Sequence, residues 1–224
     1  MRGRWIIVTG GAGVLGRAVI AELAREGANT ISIDLDPASS VQDAALTLGG
    51  LDITDPVTAR TAVAKILAET GRLDGLVNVA GAFHWETIIA GGLDTWDKLY
   101  RLNVHTAVAM SMAAAPSLIE TEGSIVNIGA ASANKAGVGL AAYAAAKSGV
   151  ARLTEGLAEE LKGKVRVNAI LPSIIDTPAN RISMPDEDAS LWVAPRELAR
   201  VIAFLFSTDA RPITGACIPV TGRT

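Results

Sequence analysis

The stretch WIIVTGGAGVLGRAVI, Trp5 to Ile20, decides how the rest of the chain is read. Its first five residues are apolar or β-branched and suit a buried strand. Gly10, Gly13 and Gly16 then follow in GxxGxxG spacing, and from Val14 an amphipathic helical pattern runs to Glu26. Glycines between a strand and a helix permit a tight turn and a close approach to a diphosphate. The helix start then offers free N–H groups and partial positive charge. Taken alone the spacing also fits an ordinary glycine-rich turn, so the surrounding sequence must carry the argument.

Outward from this stretch, short apolar runs alternate with longer amphipathic ones. Strands are expected at Trp5 to Thr9, Thr30 to Asp34, Gly75 to Val79, Gly123 to Ile128, Val165 to Ile170 and Ala216 to Val220, with a weaker one near Thr47 to Leu51. Helices are expected at Val14 to Glu26, Asp55 to Glu69, Leu93 to Glu120, Leu140 to Leu161 and Pro195 to Ser207. This alternation predicts an α/β fold: a single Rossmann-type domain over residues 1–224, its doubly wound parallel sheet of about seven strands flanked by helices. At 224 residues the chain has the length of one such domain. The irregular stretch from Pro172 onward breaks the rhythm, and residues 172–194 are expected to form a substrate lid.

Composition narrows the function. The net charge of −3 comes from 20 basic and 23 acidic residues that are scattered, which excludes the basic footprint of a nucleic-acid partner. One cysteine and two histidines leave no disulfide and no metal cluster to expect, and suit a reducing cytoplasmic setting. The N-terminal residues read as a first strand and lack the form of a signal peptide. Leu102 to Ile119 is as long as a short membrane span but contains Asn, His, Thr, Ser and Pro, so a buried core or interface helix is expected and no membrane partner.

Two further features carry chemistry. ISIDLD places Asp34 at the end of the second strand, where an acid meets the ribose hydroxyls of an adenosine and repels a 2′-phosphate; this favours NAD(H), with NADP(H) as the second choice. A turn or cap role is the plainer alternative for Asp34. Tyr143 and Lys147 stand four apart on an expected helix and so share a face, where an ammonium can lower the pKa of a phenol and ready it for proton exchange alongside hydride transfer. A helix-surface pair is the plainer alternative there.

Together these residues resemble the short-chain dehydrogenase/reductase family over nearly the whole chain: the glycine turn, Asp34, LDIT with Asp52, NVAG from Asn78 to Gly81, LNVHT with Asn103, YAAAK, VRVNAILP and LPSIIDT occur in the family's order. The resemblance implies an NAD(P)-dependent oxidoreductase with Tyr143 as proton donor, Lys147 beside the nicotinamide ribose and Asn103 holding a relay water. It implies a cofactor site of Gly10, Gly13, Val14, Leu15, Gly16, Asp34, Asp52 and Ile53 at the adenosine and diphosphate end. Asn78, Ala80, Gly81, Tyr143, Lys147, Pro172, Ile175 and Thr177 would complete it toward the nicotinamide. The family's usual serine falls at Ala130, and Val14 replaces a usual glycine. Both departures, and the run Leu171 to Trp192, resemble the dihydropteridine reductase branch, which implies an NADH-dependent reduction of a pterin-like or other conjugated C=N or C=O substrate. Asn103 keeps a general alcohol dehydrogenase or carbonyl reductase as the alternative, and Ala130 keeps a non-catalytic NAD(H)-binding regulator. Ala130, Ser132, Trp85 and Met184 are the candidate substrate contacts, and a homodimer or homotetramer is the family's expected assembly.

Overall fold

The computed structural model describes residues 1–38 and 40–223. The strands are β1 (Trp5–Thr9), β2 (Asn29–Ile33), β3 (Leu46–Leu48), β4 (Gly75–Asn78), β5 (Ser124–Ile128), β6 (Arg166–Pro172) and β7 (Cys217–Val220). They form one parallel sheet in the order β3-β2-β1-β4-β5-β6-β7. The helices are α1 (Val14–Arg25), α2 (Pro56–Thr70), α3 (Leu93–Tyr100), α4 (Thr106–Glu120), α5 (Ala141–Glu160), α6 (Pro178–Ser183) and α7 (Pro195–Phe206).

Each strand needs apolar side chains on both sides because helices cover both faces of the sheet. Along β1, Ile6 and Val8 join Leu23 of α1 and Ile202 of α7, while Ile7 between them joins Ile66 of α2 and Met110 of α4. A third cluster, with Leu99, Val104 and Val150, sets α5 against the α3–α4 rod and brings Tyr143 to its edge. Order reverses between β1 and β4, so the chain leaves these neighbouring strands in diverging directions and a crevice opens beyond their C-terminal ends.

Four local expectations are corrected. The weak strand is Leu46–Leu48, ending earlier than Leu51 because the Gly49–Gly50 turn, with Gly50 at φ +75°, takes the chain out of the sheet. β6 runs on to Pro172, held by its register with Val220 of β7. The rod from Leu93 to Glu120 is interrupted by a π-helical turn at Arg101–His105. There Asn103 Nδ2 donates to the Leu99 carbonyl at 2.9 Å, competing for the acceptor its own amide would use in an α-helix, so the ladder widens. The irregular stretch contains α6, capped by Thr177, whose Oγ1 accepts from Asn180 N at 3.2 Å.

Candidate active site

The glycine turn forms a cradle at the crevice. Gly10 lies at φ +62° with its Cα packed toward Ala80, and a Cβ on Gly16 would overlap the Gly10 carbonyl. α1 therefore starts close against the sheet. Gly13 caps it without any side-chain acceptor, so the first N–H groups of the helix point into the crevice with no side-chain partner. The crevice holds about 580 Å³ and is bordered by Gly10, Gly13, Val14, Leu15 and Gly16 on this side. Asp34, Asp52 and Ile53 border it at one end, and Ala80, Gly81 and Thr177 at the other. A diphosphate with a ribose on either side fits this arrangement of N–H donors, small residues and flanking acids.

Asp34 accepts from Ala12 N at 2.9 Å and from Asp36 N at 3.1 Å, so its carboxylate both ties the glycine turn to β2 and faces the crevice. Arg17 reaches past it to the carbonyls of Ala12 and Ser40, each at 2.8 Å, and braces the rim there. Asp52 accepts from Thr54 N and Oγ1, which hold its carboxyl below the usual carboxylate range, and Arg101 of the π turn closes on the same pair. Thr9, which the sequence reading leaves without a role, is a clamp: its Oγ1 accepts from Val79 N and Ala80 N, both at 3.1 Å, fixing how the chain leaves β4. Its only sequence signal is its place between strand and first glycine. Leu102, within the widened turn, and Thr106, directly after it, also border the crevice.

Beneath the crevice, Asn78 donates to Ser111 Oγ and to Asn127 Oδ1, and Asn127 donates on to Thr154 Oγ1. The chain of bonds crosses α4, β4, β5 and α5, so Asn78 supports the central sheet from behind rather than bordering the cofactor space. Pro172 is buried at the end of β6, and the Ile175 carbonyl accepts from Asn180 Nδ2 at 2.8 Å. Together they aim Thr177 into the crevice. Ile175 also bridges to Val193, and Trp192 is buried, so residues 172–194 are fastened to the body at both ends. Met184, partly buried, follows α6 in the middle of that segment.

Tyr143 and Lys147 share one face of α5. Lys147 is 5% exposed, donates to the Ile128 carbonyl at 2.8 Å, and its Nζ stands 5.9 Å from the Tyr143 ring centroid. Burial pushes the Tyr143 phenol up to about 12 and the Lys147 amine down to about 8. The expected lowering of the tyrosine by its neighbour is thus corrected: the ammonium donates to the Ile128 carbonyl, and loss of solvent raises the phenol. Among the described residues no group hydrogen-bonds the phenol, so its proton remains available. Asn103, 2% exposed, donates to Ala82 O and Leu99 O and accepts from Ala82 N. Its side chain orders the turn around Gly81, where an added Cβ would stand 2.5 Å from Asn103 Oδ1 and 3.5 Å from Lys147 Nζ.

Ala130 is buried with an extended backbone, two residues beyond the carbonyl that holds Lys147, and its methyl group offers no donor. Ser132 lies in the short 3₁₀ turn that follows, its hydroxyl buried without a partner. Trp85 is exposed and bonded to Val138, while Phe83 meets Tyr143 edge to face. A second depression, about 610 Å³, lies between α1 and α7 at the opposite end of the sheet. Among the described residues, only Arg25 of its arginines is ion-paired, with Glu22 and Glu26, and neither Tyr143 nor Lys147 borders it, whereas the first crevice reaches Gly81 beside Lys147.

A family model described as "short chain dehydrogenase" matches residues 4–188. A (3R)-3-hydroxyacyl-CoA dehydrogenase of Canis lupus familiaris is 31% identical over 250 residues, covering 99% of this chain and 96% of that protein. A meso-2,3-butanediol dehydrogenase of Serratia marcescens is 31% identical over 233 residues, covering 97% and 92%. Among solved structures, the ligand-free aldohexose dehydrogenase of Thermoplasma acidophilum superposes with a TM-score of 0.89 at 28% identity, covering 99% of this chain and 93% of that one.

Proposed function

The chain belongs to the short-chain dehydrogenase family and is an oxidoreductase using a nicotinamide cofactor; on that premise we propose that it is an NADH-dependent reductase of a flat conjugated C=N or C=O substrate of the pterin kind. The observation that carries this reading is Ala130: the buried position where the family's resemblance expects a hydroxyl presents only a methyl group, while the Tyr143 phenol stands protonated and unbonded. The Asp34 carboxylate at the rim supports NADH over NADPH, since it would repel a 2′-phosphate.

The glycine cradle of Gly10, Gly13 and Gly16 would hold reduced nicotinamide dinucleotide, which would supply the hydride, and with it both electrons, to the electron-poor end of the acceptor: the carbon of a C=O or simple C=N bond, or a ring nitrogen of a quinonoid dihydropterin. Tyr143 supplies the proton: its O–H bond breaks and an N–H or O–H bond forms on the substrate. The phenolate left behind lies beside the Lys147 ammonium, which stabilises it until solvent returns the proton. A conjugated acceptor spreads the arriving charge over its ring, so one proton donor suffices where an isolated carbonyl would gain from a second.

The test is NADH oxidation with freshly generated quinonoid dihydropterin, corrected for the uncatalysed rate. A large rate that Tyr143→Phe lowers by about 10²–10⁴-fold, with NADH still bound, is expected. Strong turnover of simple ketones with none of the pterin would overturn the reading. A second reading, interconversion of ordinary alcohols and carbonyls, is favoured by the buried Asn103 beside Lys147 and by the hydroxyacyl and diol substrates in the relatives' names. In either case a homodimer or homotetramer is proposed, supported by Tyr100 and Met112 exposed along the α3–α4 rod; sedimentation as a monomer would overturn it.

A further inference from the structure

Two loops meet over Tyr143. From the exit of β4 comes Phe83, whose ring stands edge-on to Tyr143 with centroids 5.0 Å apart and planes at 80°. Two residues on, Trp85 Nε1 donates to the Val138 carbonyl at 3.0 Å, and Glu86 N donates to the Gly139 carbonyl at 2.9 Å. The indole occupies the place a Cβ on Gly139 would take, and Gly139 sits at φ +73°, so only glycine allows this contact. The Val138–Gly139 turn leads directly into α5 and Tyr143. One clasp thus ties the segment carrying Phe83 to the segment carrying the phenol.

The same residues remain uncovered. Phe83 is 59% and Trp85 56% exposed, although both are fixed in place by named partners. With its N–H already taken, Trp85 presents only apolar ring surface, and Phe83 has nothing else to present. A rigid aromatic edge beside a proton donor recognises what lies flat against it and gives nothing to a ligand that seeks hydrogen bonds.

We propose that Trp85 is a positioning residue, clasping the 83–86 segment to the Val138–Gly139 turn, and that Phe83, held by it against Tyr143, selects planar aromatic substrates by contact. This rests on the reading that the substrate is flat and conjugated.

The test compares Trp85→Leu, Phe83→Leu and the double variant with the parent protein, all loaded with NADH. With quinonoid dihydropterin, each single variant is expected to raise KM about tenfold, the scale of a lost aromatic contact, with kcat nearly unchanged and NADH affinity intact. The double variant should be no worse than either single one, because Trp85 acts through Phe83. If the parent ignores the pterin, the functional reading fails on its own. The clasp is then read with acetophenone against cyclohexyl methyl ketone, a planar and a puckered ring of equal size, whose kcat/KM preference should fall about tenfold. An unchanged KM or an unchanged planar preference overturns the clasp. So does a parallel loss of NADH affinity, which would mark Trp85 as a fold element only.

Discussion

Lys147 and Tyr143 are moved in opposite directions by the same burial, and each movement has a consequence in pH. The lysine, at about 8 when folded against an ordinary 10.5, holds its proton less tightly in the folded chain, so its burial lowers stability below pH 8 and this penalty is relieved as pH rises from 8 to 10.5. The tyrosine, at about 12 against 10.0, does the reverse: its contribution is present below pH 10 and is lost as pH rises toward 12. Lys147→Met is expected to remove the rise between pH 8 and 10.5, a difference on the order of 3 kcal/mol across that window. Denaturant unfolding of both proteins at several pH values reads it, and parallel curves would show that the lysine is not desolvated. The same titration predicts that reductive kcat/KM falls as pH climbs through about 8, when Lys147 loses the charge that steadies a Tyr143 phenolate. A profile flat to pH 10 would deny the lysine that role.

Two elements are shaped by what they must approach. α1 begins against Gly10, and Gly16→Val would force its first turn off the sheet, costing about 1–3 kcal/mol of stability by overpacking and weakening NADH binding more than it weakens folding. Calorimetric titration checks this; full NADH affinity in the variant would mean the cradle is not where the diphosphate sits. The π turn between α3 and α4 forms where Asn103 Nδ2 donates to the Leu99 and Ala82 carbonyls. Asn103→Ala removes the side-chain donor from both carbonyls, an expected loss of about 1–3 kcal/mol in unfolding experiments. Leu102 and Thr106 would shift with the turn, so NADH affinity should fall too. An unaltered variant would show that the turn is set by packing alone.

At the scale of the whole molecule, the crevice is assembled from β1, β2, β4, the π turn and the start of α6, so a ligand there binds only the folded chain. NADH at a hundred times its Kd should stabilise the protein by about 2.7 kcal/mol, which is roughly 5–10 °C in melting temperature for a domain of this size. NADPH should give a smaller shift at equal concentration, and Asp34→Ala should narrow the gap; equal shifts in the parent protein would remove the case for NADH. The alternation of strands and helices, the parallel sheet and the glycine cradle were legible in the sequence, because side-chain period, strand length and the φ of Gly10 are demands met by neighbours in the chain. The pairing of Tyr143 with Lys147 was legible for the same reason, one helical turn being a local distance. Tertiary structure alone decided the rest. Trp85 finds Val138 across 53 residues, Phe83 finds Tyr143, and Thr9 finds Val79 and Ala80, none of which a local pattern announces. The direction of the tyrosine's pKa belongs here as well: it is set by how much solvent the folded chain removes, and that depends on every element packed around the phenol.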